Sequence, residues 1–172
     1  NINATMLYNQ EDIEVALAHV QELGFHNKYQ ILDDTKLELF HAGHIVNASQ
    51  IRMEFNIGNT IKSLGYTGDI GSDIPKNYLN NYESLPYCDV VIGETTYSGD
   101  LRSHGKKDYL KDIEKIQTVV RECCIENNNK VVFGSFSLGR LQDILTELYK
   151  LYGEDKSFAI PILVDAPLGI KI

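Results

Sequence analysis

The chain has no excess of positive charge, few cysteines and no long hydrophobic run, and each absence argues against a class of protein. Its 172 residues contain 16 Lys and Arg against 24 Asp and Glu, which disfavours binding to nucleic acid or anionic membranes driven by charge alone. Three cysteines, two of them adjacent at Cys123 and Cys124, make a poor disulfide framework and suit a reducing compartment. No apolar run reaches the roughly 18 residues that cross a bilayer, and the first residues do not resemble a secretory leader. We therefore expect a cytoplasmic protein that does not enter a membrane.

The first third of the chain shows a short helix followed by alternating strands. Asn9 with Asp12 three residues later resembles a capping box, and the apolar spacing that follows predicts a helix as far as Gly24. Period-two alternation then predicts strands in "YQIL", "KLELFHA" and "QIRMEFNI". The segment "NIGN" predicts a tight turn into a further strand in "TIKSLGYTGD". These signals together predict a mostly antiparallel sheet.

The rest of the chain alternates buried strands with helices. "CDVVIGE", "KVVFGSF" and "FAIPILVD" predict strands, and helices are predicted from about Lys106 to Glu126 and from Leu138 to Leu151. Strands that are apolar on both faces and joined by helices predict a parallel sheet with right-handed crossovers. The loops "GETTYSGD", "GSFSLGR" and "VDAPLG" would then collect at one edge, where such sheets bind ligands. Ser137 would begin its helix, either as a simple N-cap or beside amides that bind a phosphate.

Two potential metal ligands lie at one edge of the predicted antiparallel sheet. His44 follows a strand, and Asp69 ends the strand that returns from the "NIGN" turn. Imidazole nitrogen and carboxylate oxygen both bind zinc well, so the pair could share an ion. A histidine in a turn is more often structural or solvent-exposed, and spacing alone leaves both interpretations open.

Five segments in order make the chain similar to a known family. "HAGHIVNASQIRMEF", "YTGDIGSD", "DVVIGETTYSGD", "VVFGSFSLGRLQDILTELYKLY" and "IPILVDAP" resemble the β-CASP branch of the metallo-β-lactamase superfamily, over about residues 5–168. The resemblance implies that His44 is a zinc ligand and that Asp69 bridges two zinc ions. It implies that Glu94 lies beside the active centre and orients a histidine supplied later in the chain. His41 would be structural or would support a ligand, and Arg140 would order its loop or contact a phosphate.

The same resemblance implies a fold and a reaction. Residues 1–98 would belong to a metallo-β-lactamase αββα sandwich, and residues 99–172 would begin a β-CASP parallel α/β domain. The implied activity is hydrolysis of RNA or DNA phosphodiester bonds with two zinc ions, in which Asp69 and Glu94 act as catalytic residues.

One departure limits what this chain can do alone. The main metal-binding signature of the family, HxHxDH, is absent, so we expect a partial site, an inactive isolated chain and association as a homo-oligomer or with a complementing chain. Asn47 also stands where the family usually has glycine. A non-catalytic scaffold subunit and another metallo-β-lactamase-fold hydrolase are the alternatives.

Overall fold

The computed structural model describes residues 7–71, 81–96 and 106–171, and these residues form a mixed α/β structure. Its single sheet has five strands in the order of the sequence. The strands are β1 (Tyr29–Leu32), β2 (Thr35–His41), β3 (Ser49–Ile57), β4 (Thr60–Tyr66) and β5 (Val90–Ile92). The helices are α1 (Gln10–Ala18), α2 (Lys106–Val120), which continues as a π-helical turn over Arg121–Glu126, and α3 (Arg140–Tyr152). The predicted domain boundary at residues 98 and 99 lies outside the described residues.

Helix α1 begins at the predicted capping box and ends earlier than predicted. Asn9 Oδ1 accepts a hydrogen bond from the Asp12 amide at 3.1 Å, and Asp12 Oδ2 accepts one from the Asn9 amide at 2.8 Å. The helix ends at Ala18 rather than near Gly24, and none of its residues is buried. The capping signal is local and was therefore correct, whereas the predicted apolar face buries nothing in the described part of the chain.

Strands β1 to β4 form the predicted antiparallel meander. The β2–β3 register places Leu39 opposite Ile51, and the β3–β4 register closes at Ile57 opposite Thr60. Gly58 in the "NIGN" turn has φ +61°, a conformation that glycine adopts without steric cost. This meander places the loop after β2 and the end of β4 at the same edge of the sheet.

Strand β5 pairs parallel with β4, as a parallel sheet requires, but it is not buried. The register places Leu64 opposite Val90 and Tyr66 opposite Ile92, while Val90, Val91 and Ile92 are each more than half exposed. Asp89 fastens this strand to β4, since its Oδ2 accepts hydrogen bonds from the Ser63 amide at 2.7 Å and the Ser63 hydroxyl at 2.9 Å. These bonds hold the pKa of the Asp89 carboxyl below its usual value.

The two later strands of the prediction do not form. Residues 130–136 and 158–165 have no strand structure, and Val132 and Leu163 are 91% and 94% exposed. An apolar run becomes a strand only when a neighbour pairs with its amides and carbonyls, and none of the described residues does so here. The helices of this region are as predicted to within two residues at either end, but no helix in the described part of the chain joins two parallel strands.

The helices pack through a small contact. Val120 and Leu148 are the buried apolar residues of this region, and the Tyr152 hydroxyl donates to the Gln117 carbonyl at 3.4 Å.

Burial, together with a hydrogen bond to Glu147, raises the pKa of Tyr109 to about 12. Among the described residues no helix combines the length and apolarity that a membrane span needs.

Candidate active site at the end of the sheet

The His44 loop joins β2 to β3 and is closed by its own backbone. The Ala42 amide donates to the Ala48 carbonyl at 2.9 Å, and the Ala48 amide donates to the Ile45 carbonyl at 3.1 Å. Asn47 has φ +60°, which non-glycine residues rarely adopt and asparagine tolerates best. This conformation explains why asparagine can stand where the family resemblance implies a glycine. The His44 side chain is exposed at the end of the loop.

The loop that carries Asp69 packs directly on the His44 loop. The Gly71 amide donates to the Ala42 carbonyl at 2.8 Å. A Cβ atom on Gly71 would lie 1.8 Å from the Gly43 carbonyl oxygen and 2.8 Å from the His44 nitrogen, so only glycine fits. The expected proximity of the two loops is therefore present in the backbone, and the Asp69 side chain is exposed beside it.

Glu94 lies in the loop that follows β5 and connects this loop to the loop that carries Asp69. Its Oε1 accepts a hydrogen bond from the Ile70 amide at 2.6 Å, and its Oε2 accepts one from the Thr96 amide at 3.3 Å. A hydrogen bond from the Thr96 side chain, followed by the Ile70 amide and with a smaller contribution from the charge of His44, lowers the pKa of Glu94. The Glu94 carboxylate therefore stays ionised, and its hydrogen bond holds Ile70, the residue after Asp69, in place. The rest of "GETTYSGD", beyond residue 96, lies outside the described residues.

The donors at this edge suit zinc in kind but not in number. His44 and Asp69 offer an imidazole and a carboxylate, whereas both oxygens of Glu94 already accept backbone hydrogen bonds. Within residues 7–71, 81–96 and 106–171, the one group of three potential ligands close together consists of His26, His41 and Glu83. A catalytic zinc takes three protein ligands, so the described part supplies at most two of the three at the site of His44.

The "GSFSLGR" loop also reaches this edge, although not in the predicted way. A Cβ atom on Gly139, whose φ is +83°, would lie 2.8 Å from Ile45 Cγ2, so the loop packs on the residue after His44. Ser137 is not the N-cap. Helix α3 begins after Gly139, whose amide donates to Gln142 Oε1 at 2.7 Å, while Gln142 Nε2 donates to the Ser137 carbonyl at 3.2 Å. Arg140 lines a pocket of about 370 Å³ together with Gly134, Ser135 and Phe136.

Sequence reasoning did not identify two residues that assemble this edge. Gly71 follows Asp69 by two positions, and a glycine after a turn aspartate was a usable signal of close backbone approach. Glu83 lies in a polar stretch without periodicity, and no local signal marks it. Its amide nevertheless donates to the His41 carbonyl at 3.0 Å.

Comparison with known proteins finds relatives of this chain. No protein-family model matches the chain, but individual relatives match most of it. These relatives are members of the β-CASP branch of the metallo-β-lactamase superfamily, and the chain is similar to them over most of its length.

Three of these relatives illustrate the range of sequence identity and coverage. The chain is 30% identical to an RNase J-like protein of Methanocaldococcus jannaschii, over 97% of the chain and 38% of the relative. It is 26% identical to the transcription termination factor FttA of Thermococcus kodakarensis, over 92% of the chain and 24% of the factor. It is also 26% identical to the endoribonuclease YSH1 of Kluyveromyces lactis, over 87% of the chain and 18% of that enzyme. The chain thus spans less than two fifths of the length of each.

Proposed function

We propose that this chain is part of a zinc-dependent nuclease that hydrolyses RNA phosphodiester bonds. The observation that carries the proposal is the convergence of three loops, in which Gly71 contacts the His44 loop and Glu94 binds the Ile70 amide at 2.6 Å. Relatives named as an RNase J-like protein and an endoribonuclease support it. In this proposal, residues 1–98 belong to the metallo-β-lactamase domain and residues 99–172 begin the β-CASP domain.

The proposed roles follow from the chemistry of each side chain. His44 and Asp69 contribute an imidazole and a carboxylate to a site that other residues of the complete protein would fill. Bound divalent cations at such a site would lower the pKa of water and neutralise phosphate charge. Glu94, ionised and bonded to two backbone amides, holds the loop that carries Asp69 in place. An acidic chain can then accept RNA, because the positive charge is concentrated where the phosphate binds.

The test is replacement of Asp69 by asparagine in the complete gene product. Asp69→Asn keeps the size of the side chain but weakens metal binding, and we expect RNA cleavage to fall about 100-fold or more, because loss of a mere supporting residue already costs 10- to 100-fold. Bound zinc, measured by mass spectrometry, should fall with it.

The matched control is Asp33→Asn, an exposed aspartate in the turn between β1 and β2, which should keep full cleavage. Unchanged cleavage and zinc content in Asp69→Asn would contradict the proposal. Zinc-loaded wild-type protein that cleaves neither RNA nor DNA would favour a non-catalytic scaffold instead.

A further inference from the structure

A second group of potential metal ligands lies beside the His44 loop and uses none of the residues proposed for the active site, His44, Asp69 and Glu94. His26 precedes β1, His41 ends β2, and Glu83 lies in the segment before β5. Each offers one ligand atom, and these atoms all lie within 4.8 Å of one another. His26 Nε2 and Glu83 Oε1 are 3.4 Å apart.

Hydrogen bonds to the backbone hold this His–His–Glu cluster in place. Glu83 Oε2 accepts a hydrogen bond from the His41 amide at 3.1 Å, which leaves Oε1 facing His26. The His26 amide donates to the Leu39 carbonyl at 3.0 Å, and the Phe25 ring stacks on the His41 imidazole with centroids 3.7 Å apart. Fully buried Gln50 donates from Nε2 to the carbonyls of both His41 and Glu83. The carboxylate and one imidazole are therefore oriented without any ion.

We propose that His26, His41 and Glu83 form a zinc-binding site distinct from the site at His44 and Asp69. Two imidazoles and a carboxylate are a common zinc donor set, and three protein ligands leave a fourth position for water. Bond lengths of 2.0 to 2.1 Å place the ligand atoms of a tetrahedral site about 3.3 Å apart, close to the distance between His26 and Glu83. An ion pair between His26 and Glu83 would by itself contribute little to the stability of this arrangement, because their side chains are 52% and 37% exposed.

Zinc at the His–His–Glu cluster would position the neighbouring loop. Glu83 follows Tyr82, and a Cβ atom on Gly43 would lie 2.4 Å from the Tyr82 nitrogen. An ion that fastens Glu83 to the end of β2 therefore holds Tyr82 against the residue before His44. This role is structural and does not depend on nuclease activity.

The test measures zinc bound to the complete gene product after dialysis, with Zn²⁺ as the only added metal. The variants are His26→Asn, because asparagine tolerates the φ of +60° at this position, and Glu83→Gln, which keeps an oxygen that accepts from the His41 amide. We expect each variant to bind one zinc per chain fewer than wild type. Added zinc should also raise the melting temperature of each variant less than it raises that of wild type. The matched control, His19→Asn on the exposed end of α1, should lose none.

A second set of variants separates this site from the proposed active site. We expect Asp69→Asn to retain one zinc that the double variant His26→Asn with Asp69→Asn lacks. This difference of one ion decides the proposal whether or not Asp69→Asn itself lowers zinc content. Equal zinc content with and without His26→Asn, in protein that circular dichroism shows to be folded, would overturn it.

Discussion

The sheet region, residues 29–71 and 81–96, and the helical region, residues 106–171, are held together differently. In the sheet region four polar residues are buried, namely Thr35, Gln50, Ser63 and Thr67, and the side chains of all four are hydrogen-bonded to other segments or neighbouring groups. In the helical region burial is restricted to a few residues, and Val132 and Leu163 are almost fully exposed. Buried polar groups require specific partners, whereas apolar contact is non-directional. The candidate site is therefore positioned by directional bonds and close backbone contact, and three experiments test this contrast between the two regions.

The largest effect is expected at Gly71. Gly71→Ala would place a methyl group 1.8 Å from the Gly43 carbonyl oxygen, so the two loops must separate. We expect a loss of about 3 kcal/mol in the free energy of unfolding, at the upper end of overpacking costs, and loss of RNA cleavage. Urea unfolding and a cleavage assay on the complete gene product measure both.

Gly134→Ala is the matched change in the helical region, because a Cβ atom there would meet nothing within 4 Å. It should alter stability by no more than about 0.5 kcal/mol. Equal effects at the two glycines would remove the contrast between the regions.

A smaller difference is expected between two glutamines. Gln50→Ala removes a fully buried side chain that donates to the carbonyls of His41 and Glu83, and we expect a cost of about 2 kcal/mol, since it leaves a buried carbonyl without this donor and opens a cavity. Gln142→Ala removes the cap at the start of α3 and a hydrogen bond to the Ser137 carbonyl, which together cost about 1 kcal/mol. Urea unfolding of both variants measures the order, and a larger loss in Gln142→Ala would reverse our account of the two regions.

The smallest effect concerns Tyr109 at high pH. Its pKa is about 12 in the folded chain against 10 without burial, so the folded state keeps a proton that the unfolded state releases. The resulting stability is present below pH 10 and is lost as pH rises from 10 to 12.

Tyr109→Phe should therefore show a shallower fall in urea stability over this interval than wild type. Tyr149→Phe, at a position 68% exposed, serves as the control and should fall as steeply as wild type. Equal slopes in all three proteins would contradict the assigned burial of Tyr109.

Local signals in the sequence predicted local structure well. The capping box at Asn9, the "NIGN" turn and the antiparallel order of the first strands are confirmed, because each depends on residues close together in the chain. The segments at residues 130–136 and 158–165 were wrongly predicted as strands, since an apolar run cannot specify the partner that a strand needs. The N-cap, one of the two roles predicted for Ser137, is wrong, because Gly139 takes that position two residues later and its amide is bonded by the Gln142 side chain.

For the candidate site, the order of the motifs in the sequence singled out His44, Asp69 and Glu94 as the residues predicted to carry chemistry. The contacts around these residues became known from the folded structure alone. Gly71 against Gly43 and Glu83 against His41 join residues 28 and 42 positions apart, and no local pattern encodes such contacts. The physical reason is that helix caps and turns depend on neighbours in the chain, whereas ligand groups form only where the sheet has closed and brought distant backbones within hydrogen-bonding distance.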